Sequence, residues 1–327
     1  MEDFFRSCVD KYCELAKKRT GQIPKLKTAH TPFIDEGVRA NTDFAAPNRE
    51  EPKANEMNKE ASAVLMKILY GARMARFDLL RATCALASNV TRWTRSDDRK
   101  LFRLVSYINT TLSLRMIGKV GDNCADMDIA LFSDADFAGC PRTLRSTSGV
   151  FLKVMGPNTH MPISGLSQKQ TAVSHSTPEA EIIAAALAVR KEGIPASGIF
   201  DTLFQRPVSL EFFEDNQAAV RILETGKNPT LRYMGRTHNV DMAWLFDCFR
   251  GGLYNLRYCT TDQQAADIFT KHFTNPDKWN LVCRLIGHLP IARLWLKDAG
   301  LDLEAAKKKK KPSAEAEEII TPAIDTE

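Results

Sequence analysis

Four carboxylates in this chain stand where a fold could aim them at one point. They are Asp134 in Ser-Asp-Ala-Asp-Phe-Ala-Gly at 133–139, Glu181 in Ser-Thr-Pro-Glu-Ala-Glu-Ile at 176–182, Asp215 in Phe-Phe-Glu-Asp-Asn-Gln-Ala-Ala at 212–219, and Asp267 in Gln-Gln-Ala-Ala-Asp-Ile-Phe-Thr-Lys at 263–271. Acids without accompanying His or Cys are the ligands expected of hard cations of the magnesium type, which take carboxylate oxygens and keep several waters. Two such cations, roughly 3.5 to 4 Å apart, activate a water and stabilise the leaving oxygen during in-line displacement at a phosphodiester. Three of the acids also have a plainer role: Asp134 as a turn cap, Asp215 as a helix N-cap, Asp267 on a solvated helix face. Glu179 reads as a first-turn acid that favours the helix dipole and points elsewhere. Those roles give no reason for four acids in this order across one unit.

The elements that must position them are legible in part. Ile129, Leu131 and Phe132 lie in a run apolar on both faces, as in a central strand, which Asp134 ends with Asp136 on the same face. Thr177 and Pro178 start a helix whose buried stripe is Ile182, Ala185, Ala186 and Val189, with Glu181 at its edge. Strand-like runs near 128–137, 148–155, 160–167, 208–214 and 252–259 interleave with helical runs at 178–191, 216–225, 240–250 and 263–272, which predicts an α/β layer with a mixed sheet. Gly149, Gly156 and Pro157 read as its hairpin turns. Upstream, 3–18 is helical, 19–58 is Pro-rich and extended, and 59–116 has the period of three helices. The expected divisions are 1–58 (helix and linker), 59–120 (helical segment), 126–275 (α/β domain), 276–306 (helical extension) and 307–327, five lysines followed by a stretch whose only charges are five acids, expected to be disordered.

Composition restricts the function classes without choosing one. With 44% hydrophobic and 26% charged residues the chain is an ordinary globular sequence, and 45 basic against 40 acidic residues permit a polyanionic partner without identifying it. The eight cysteines show no Cys-x-x-Cys pair and no zinc spacing, so an intracellular setting, cytoplasm or nucleus, is expected. There is no signal-peptide pattern and no apolar run approaching the ~18 residues of a membrane span.

The motifs resemble the ribonuclease H domain of copia-type LTR retrotransposon Pol polyproteins. The Ser-Asp-Ala-Asp strand end, the Arg-Ser-Thr-Ser-Gly stretch at 145–149, the Lys-Gln and Glu-Ala-Glu stretch across 169–181, the Asp-Asn pair at 215–216 and the closing Gln-x-Ala-Asp-x-x-Thr-Lys are similar to five motifs of that family, in order. Leu65–Tyr70, Arg73–Asp78 and Leu104–Thr111 look like the segment that joins the polymerase to the nuclease there. The resemblance implies a ribonuclease H-like mixed five-stranded sheet flanked by helices, after a small helical segment. It implies a metal-dependent endonuclease cutting the RNA of RNA–DNA hybrids, with Asp134, Glu181, Asp215 and Asp267 as catalytic metal ligands. Two Mg2+ ions, with Mn2+ as a substitute, would be the cofactors. Asp136 and His238 would be accessory groups, and Ser148, Lys169, Gln170, Asn216 and Arg236 nucleic-acid contacts. The polymerase portion of the same polyprotein would be a possible partner, and no membrane is expected. Arg73, Arg76, Arg92 and Arg95 are candidate phosphate contacts. The chain departs from the family at Phe77, Phe137, Gly165 and Asn239. A remnant that binds nucleic acid or a polymerase without cutting is the alternative. An integrase or transposase core is a third reading, but there the Glu comes last.

Overall fold

Apolar residues at three- and four-residue steps fold the first part of the chain into helices. The computed structural model describes residues 1–34, 57–140, 142–226, 231, 233–252 and 254–290. Helix α1 (Glu2–Thr20) buries Phe5, Cys8, Val9, Tyr12 and Ala16 on one stripe and packs on α2 (Ala61–Ala75) and α4 (Arg95–Thr110), with α3 (Leu80–Ala87) between the latter two in sequence. The bundle thus includes α1, where sequence periodicity suggested three helices and a separate one. A capping box of Thr94 and Asp97 starts α4. The remainder of the linker, 35–56, the extension beyond 290 and the lysine-then-acid tail lie outside the described residues.

A buried ion pair anchors this layer. The Arg76 guanidinium is bidentate on Asp78 at 2.8 Å and 2.8 Å, and it also donates to the Thr111 carbonyl and hydroxyl. Tyr107 Oη donates to Asp78 Oδ2 at 2.8 Å and accepts from Trp279 Nε1 at 3.0 Å. Arg76 is therefore part of the core and is corrected from a phosphate contact, whereas Arg73, Arg92 and Arg95 are exposed.

After the short strand β1 (Leu114–Met116), β2 (Asp128–Asp136) begins, buried from Ile129 to Ala135. It pairs antiparallel with β3 (Thr147–Met155), which pairs antiparallel with β4 (His160–Lys169). The chain then forms α5 (Thr177–Ala188), a π turn at Val189–Gly193 and α6 (Ile194–Phe204), a helical crossover longer than the sequence suggested. β5 (Leu210–Glu214) returns parallel to β2. Helices α7 (Gln217–Thr225), α8 (Met234–Thr237) and α9 (Met242–Arg250) then lead to β6 (Tyr254–Tyr258), parallel to β5. Such helical crossovers are what parallel neighbours require. The five-stranded sheet has the order β4-β3-β2-β5-β6 and is the expected ribonuclease H-like mixed α/β sheet flanked by helices. Helix α10 (Pro276–Leu285) precedes β7 (His288–Pro290), which pairs with β1. Neither β1 nor β7 was read from sequence, because three residues carry no usable period.

Side-chain alternation divides the core. Ile129 and Leu131 enter a cluster with Ile182, Ala185, Phe212 and Leu245, while Ala130 and Phe132 join Phe151, Phe269 and Trp279 in a cluster that continues through α1, α2 and α4. No helix among the described residues is long and apolar enough to cross a membrane.

Candidate metal centre

The period of two that separates these faces also carries Ser133 to one side of β2 and Asp134 to the other. Opposite Asp134 in the register stands Gly149. It is a mid-strand residue, not the hairpin turn expected, and its role is clearance: a Cβ there would lie 2.7 Å from Thr270 Cγ2 and 2.8 Å from the Ala266 carbonyl. The absent side chain lets the 3-10 turn Ala265–Phe269 settle against the sheet and present Asp267. This turn stands where sequence predicted a helix over 263–272. Gly165 works similarly, since a Cβ would meet the ring of Phe269 at 2.8 Å and that of Phe77 at 3.2 Å.

One carboxylate oxygen from each of Asp134, Asp215 and Asp267 lies within 4.8 Å of the other two. Asp134 is buried, accepts from the Thr270 hydroxyl, and has the Lys271 ammonium 3.6 Å from Oδ1. Asp267 Oδ1 accepts from Lys271 Nζ at 2.6 Å. Asp215 follows β5 and accepts from the Thr261 hydroxyl at 3.1 Å. Glu181 lies outside that tight triad but is electrostatically joined to Asp134 and Asp215, and its Oε2 is buried without a hydrogen-bond partner.

Burial, then mutual repulsion, raises the proton affinity of Glu181, Asp267 and Asp134. Burial, then Glu214, Asp134 and Asp215, push Glu181 up to about 11, and burial, then Asp134, push Asp267 up to about 8. Asp134 is raised mainly by burial, against the pull of Lys271 and Thr270. Burial lowers the ammonium of Lys271, but Asp134 and Asp267 outweigh it and the net shift is upward. The Cys259 thiol is pushed up to about 12 by burial and then by Asp215, so it stands beside the acids as a neutral group.

The two expected accessory groups lie outside the triad, each bonded to other residues. Asp136 is paired with Arg81 at 2.9 Å and accepts from the Thr147 amide, while Arg81 Nε also donates to the Thr270 carbonyl at 2.7 Å. His238 is buried, with Nε2 2.9 Å from Glu179 Oε1. Glu179 does point away from the metal centre, but its first-turn carboxyl is fully buried, and its Oε2 accepts from the His175 amide and from Tyr233 Oη, each at 2.8 Å. Among the expected nucleic-acid contacts, Ser148 and Gln170 are corrected to internal bonds. Gln170 Nε2 donates to Ser148 Oγ at 3.0 Å and to the Ala180 carbonyl at 2.9 Å, which ties the end of β4 to the helix that bears Glu181. Lys169 is half-buried against Ser88 Oγ and Cys140 Sγ, each at 3.2 Å, Asn216 caps α7, and Arg236 is exposed.

Sequence reasoning passed over Lys271 and Glu214. The first had a visible signal, four residues beyond Asp267 on one helical face. The second had a weaker one: it shares strand parity with buried Phe212, so it must point inward.

No protein-family model matches this chain. Among solved structures it is similar to LC11-RNase H1, isolated from compost by a metagenomic approach, at 17% identity over 44% of this chain and 92% of that one, with a TM-score of 0.30. A likeness of that size carries no argument about activity, and the fold stands on the strand order and register.

Proposed function

We propose that this chain is a divalent-metal-dependent endonuclease that hydrolyses the RNA strand of RNA–DNA hybrids. The observation that carries this reading is the convergence of Asp134, Asp215 and Asp267 from three separate segments to within 4.8 Å. The residues fit a hard cation, because the donors are all carboxylate oxygens, a Glu181 oxygen beside them is buried without a partner, and protons held at raised affinity are what a divalent charge would displace. Asp134, Asp215, Asp267 and Glu181 would hold Mg2+, two ions in this reading, with Mn2+ as a substitute. Bound there, the metal would supply an activated water and neutralise charge on the leaving oxygen.

The protein's own groups orient this set. The Thr270 hydroxyl fixes Asp134, Lys271 fixes Asp267, and Arg81 holds the Thr270 carbonyl so that both stay in register. Lys169, Asn216 and Arg236 remain as candidate contacts to the hybrid backbone and its 2′-hydroxyls. Origin in a copia-type polyprotein, with its polymerase portion as partner, belongs to the same proposal and rests on the ordered motifs across 133–271.

A second reading, a remnant that binds nucleic acid without cutting, is favoured by Lys271, whose ammonium already offsets Asp134 and Asp267 without a metal. The two separate on incubating purified protein and Mg2+ with end-labelled hybrid and with the same RNA single-stranded. The nuclease reading requires cleavage of the hybrid in preference to the single strand, lost in chelator and in Asp134→Asn. Hybrid retained on a binding assay but never cut would establish the remnant.

A further inference from the structure

Glu214 is fully buried one residue before Asp215, and nothing in the proposed reaction uses it. Its two oxygens have separate partners. Oε2 accepts from the Ser133 hydroxyl at 3.1 Å, and Oε1 accepts from the Asn216 amide at 3.1 Å. Ser133 immediately precedes Asp134, and Asn216 immediately follows Asp215. The carboxylate thus spans β2 and the end of β5 at the point where each delivers an acid. Ser133 is held from a third direction as well, because its carbonyl accepts from Gln264 Nε2 at 2.9 Å, and buried Gln264 opens the 3-10 turn that presents Asp267. Two buried side chains, Glu214 and Gln264, therefore meet at Ser133 and join all three segments that bear the converging aspartates.

We infer that Glu214 is a positioning residue, a brace that sets the separation of Asp134 and Asp215 by holding Ser133 and Asn216, with Gln264 extending the brace to Asp267. The inference rests on the metal-centre reading above. The alternative role for Glu214 is a fifth negative charge that draws cations by electrostatics alone. The two roles diverge on removing the charge while keeping the shape. In Glu214→Gln the amide oxygen still accepts from Asn216 N–H, and the amide nitrogen donates to Ser133 Oγ, a hydroxyl that can rotate to accept. In Glu214→Leu the volume is kept and both bonds are lost.

The experiment is calorimetric titration of the metal-free full chain with Mn2+, alongside circular dichroism to verify the fold. Outer partners of metal ligands are typically worth about 10- to 100-fold in affinity, so Glu214→Leu should bind Mn2+ about 10-fold more weakly or worse, and Glu214→Gln should restore affinity to within about threefold of the wild type. Ser133→Ala, which cuts one arm with little change in volume, should fall between them and keeps the test decisive if the leucine variant does not fold. Equal weakening in Glu214→Gln and Glu214→Leu would overturn the brace in favour of charge, and unweakened binding by Glu214→Leu or Ser133→Ala would overturn any positioning role. A wild-type chain that binds no Mn2+ would remove the metal centre and the brace together, a result distinct from either.

Discussion

Glu181 and Glu179 are two residues apart on one helix, and their surroundings assign them opposite consequences. Glu181 has an oxygen with no partner beside Asp134 and Asp215, so exchanging it for Gln costs the fold little and costs the metal centre a charge. Glu181→Gln should lower hybrid cleavage by on the order of a thousandfold, with the circular dichroism spectrum and hybrid binding retained. Retained cleavage in that variant would remove Glu181 from the ligand set. Glu179 Oε2 accepts from the His175 amide and the Tyr233 hydroxyl and its Oε1 lies 2.9 Å from His238 Nε2, so an amide nitrogen must either face one of the two donors or force His238 into the tautomer that accepts at Nε2 and leaves a buried Nδ1–H without a partner. Glu179→Gln should therefore show a stability loss of about 1–3 kcal/mol in urea unfolding, a buried polar mismatch and not a chemical defect. A denaturation midpoint equal to the wild type would mean that these bonds contribute nothing net.

Elements hold the site through a few buried polar anchors that apolar packing alone could not orient. The Arg76–Asp78 pair joins the turn after α2 to α4 through Tyr107 and Thr111, and to α10 through Trp279. His288 of β7 accepts from the Phe77 amide with Nε2 at 3.1 Å, leaving Nδ1 to donate to the Ile286 carbonyl, so it is neutral where it sits. Burial accordingly depresses its proton affinity. Asp78→Asn would strand the Arg76 charge in a dry site. It should lower unfolding free energy by about 3–5 kcal/mol, measured by chemical denaturation. A loss below about 1 kcal/mol would show that water reaches the guanidinium and that the anchor is weaker than its geometry implies.

At the scale of the whole molecule, stability and metal are linked through protons. Asp267, at about 8, and Glu181, at about 11, both titrate well above the unfolded value of about 4, so between these limits the folded chain binds more protons than the unfolded one. Their contribution is complete below about pH 4 and is lost as pH rises toward the folded values. His288 shifts the other way, with stability lost as pH falls below about 6.5, so the acid cluster is best read above that point. In chelator, Tm should fall as pH increases from about 6.5 to 8.5, and millimolar Mg2+ should raise Tm more at the upper end than at the lower, because the cation replaces the protons. An Mg2+ increment that shrinks with pH would contradict a site built on these carboxyls.

The sequence by itself determined the acids and the order of the elements that deliver them. The both-sided apolar run into Asp134, the Thr177-Pro178 start ahead of Glu181, and the Asp215-Asn216 pair at a helix start are local signals, and local signals survive in one dimension. The mixed sheet followed from the alternation of strand and helix periods. Tertiary structure decided which acids meet. Glu179 and Glu181 leave α5 on different sides because they are two residues apart, but only the tertiary structure supplies what each meets, Tyr233 and His238 for one and Asp134 and Asp215 for the other. Gly149 reads as a turn in sequence, but in the sheet it is a gap filled by the segment bearing Asp267, a residue 118 positions later in the chain. Arg76 reads as a surface charge until Asp78, Tyr107 and Trp279 close around it. In each case the deciding partner is remote in sequence, and periodicity reports only on neighbours.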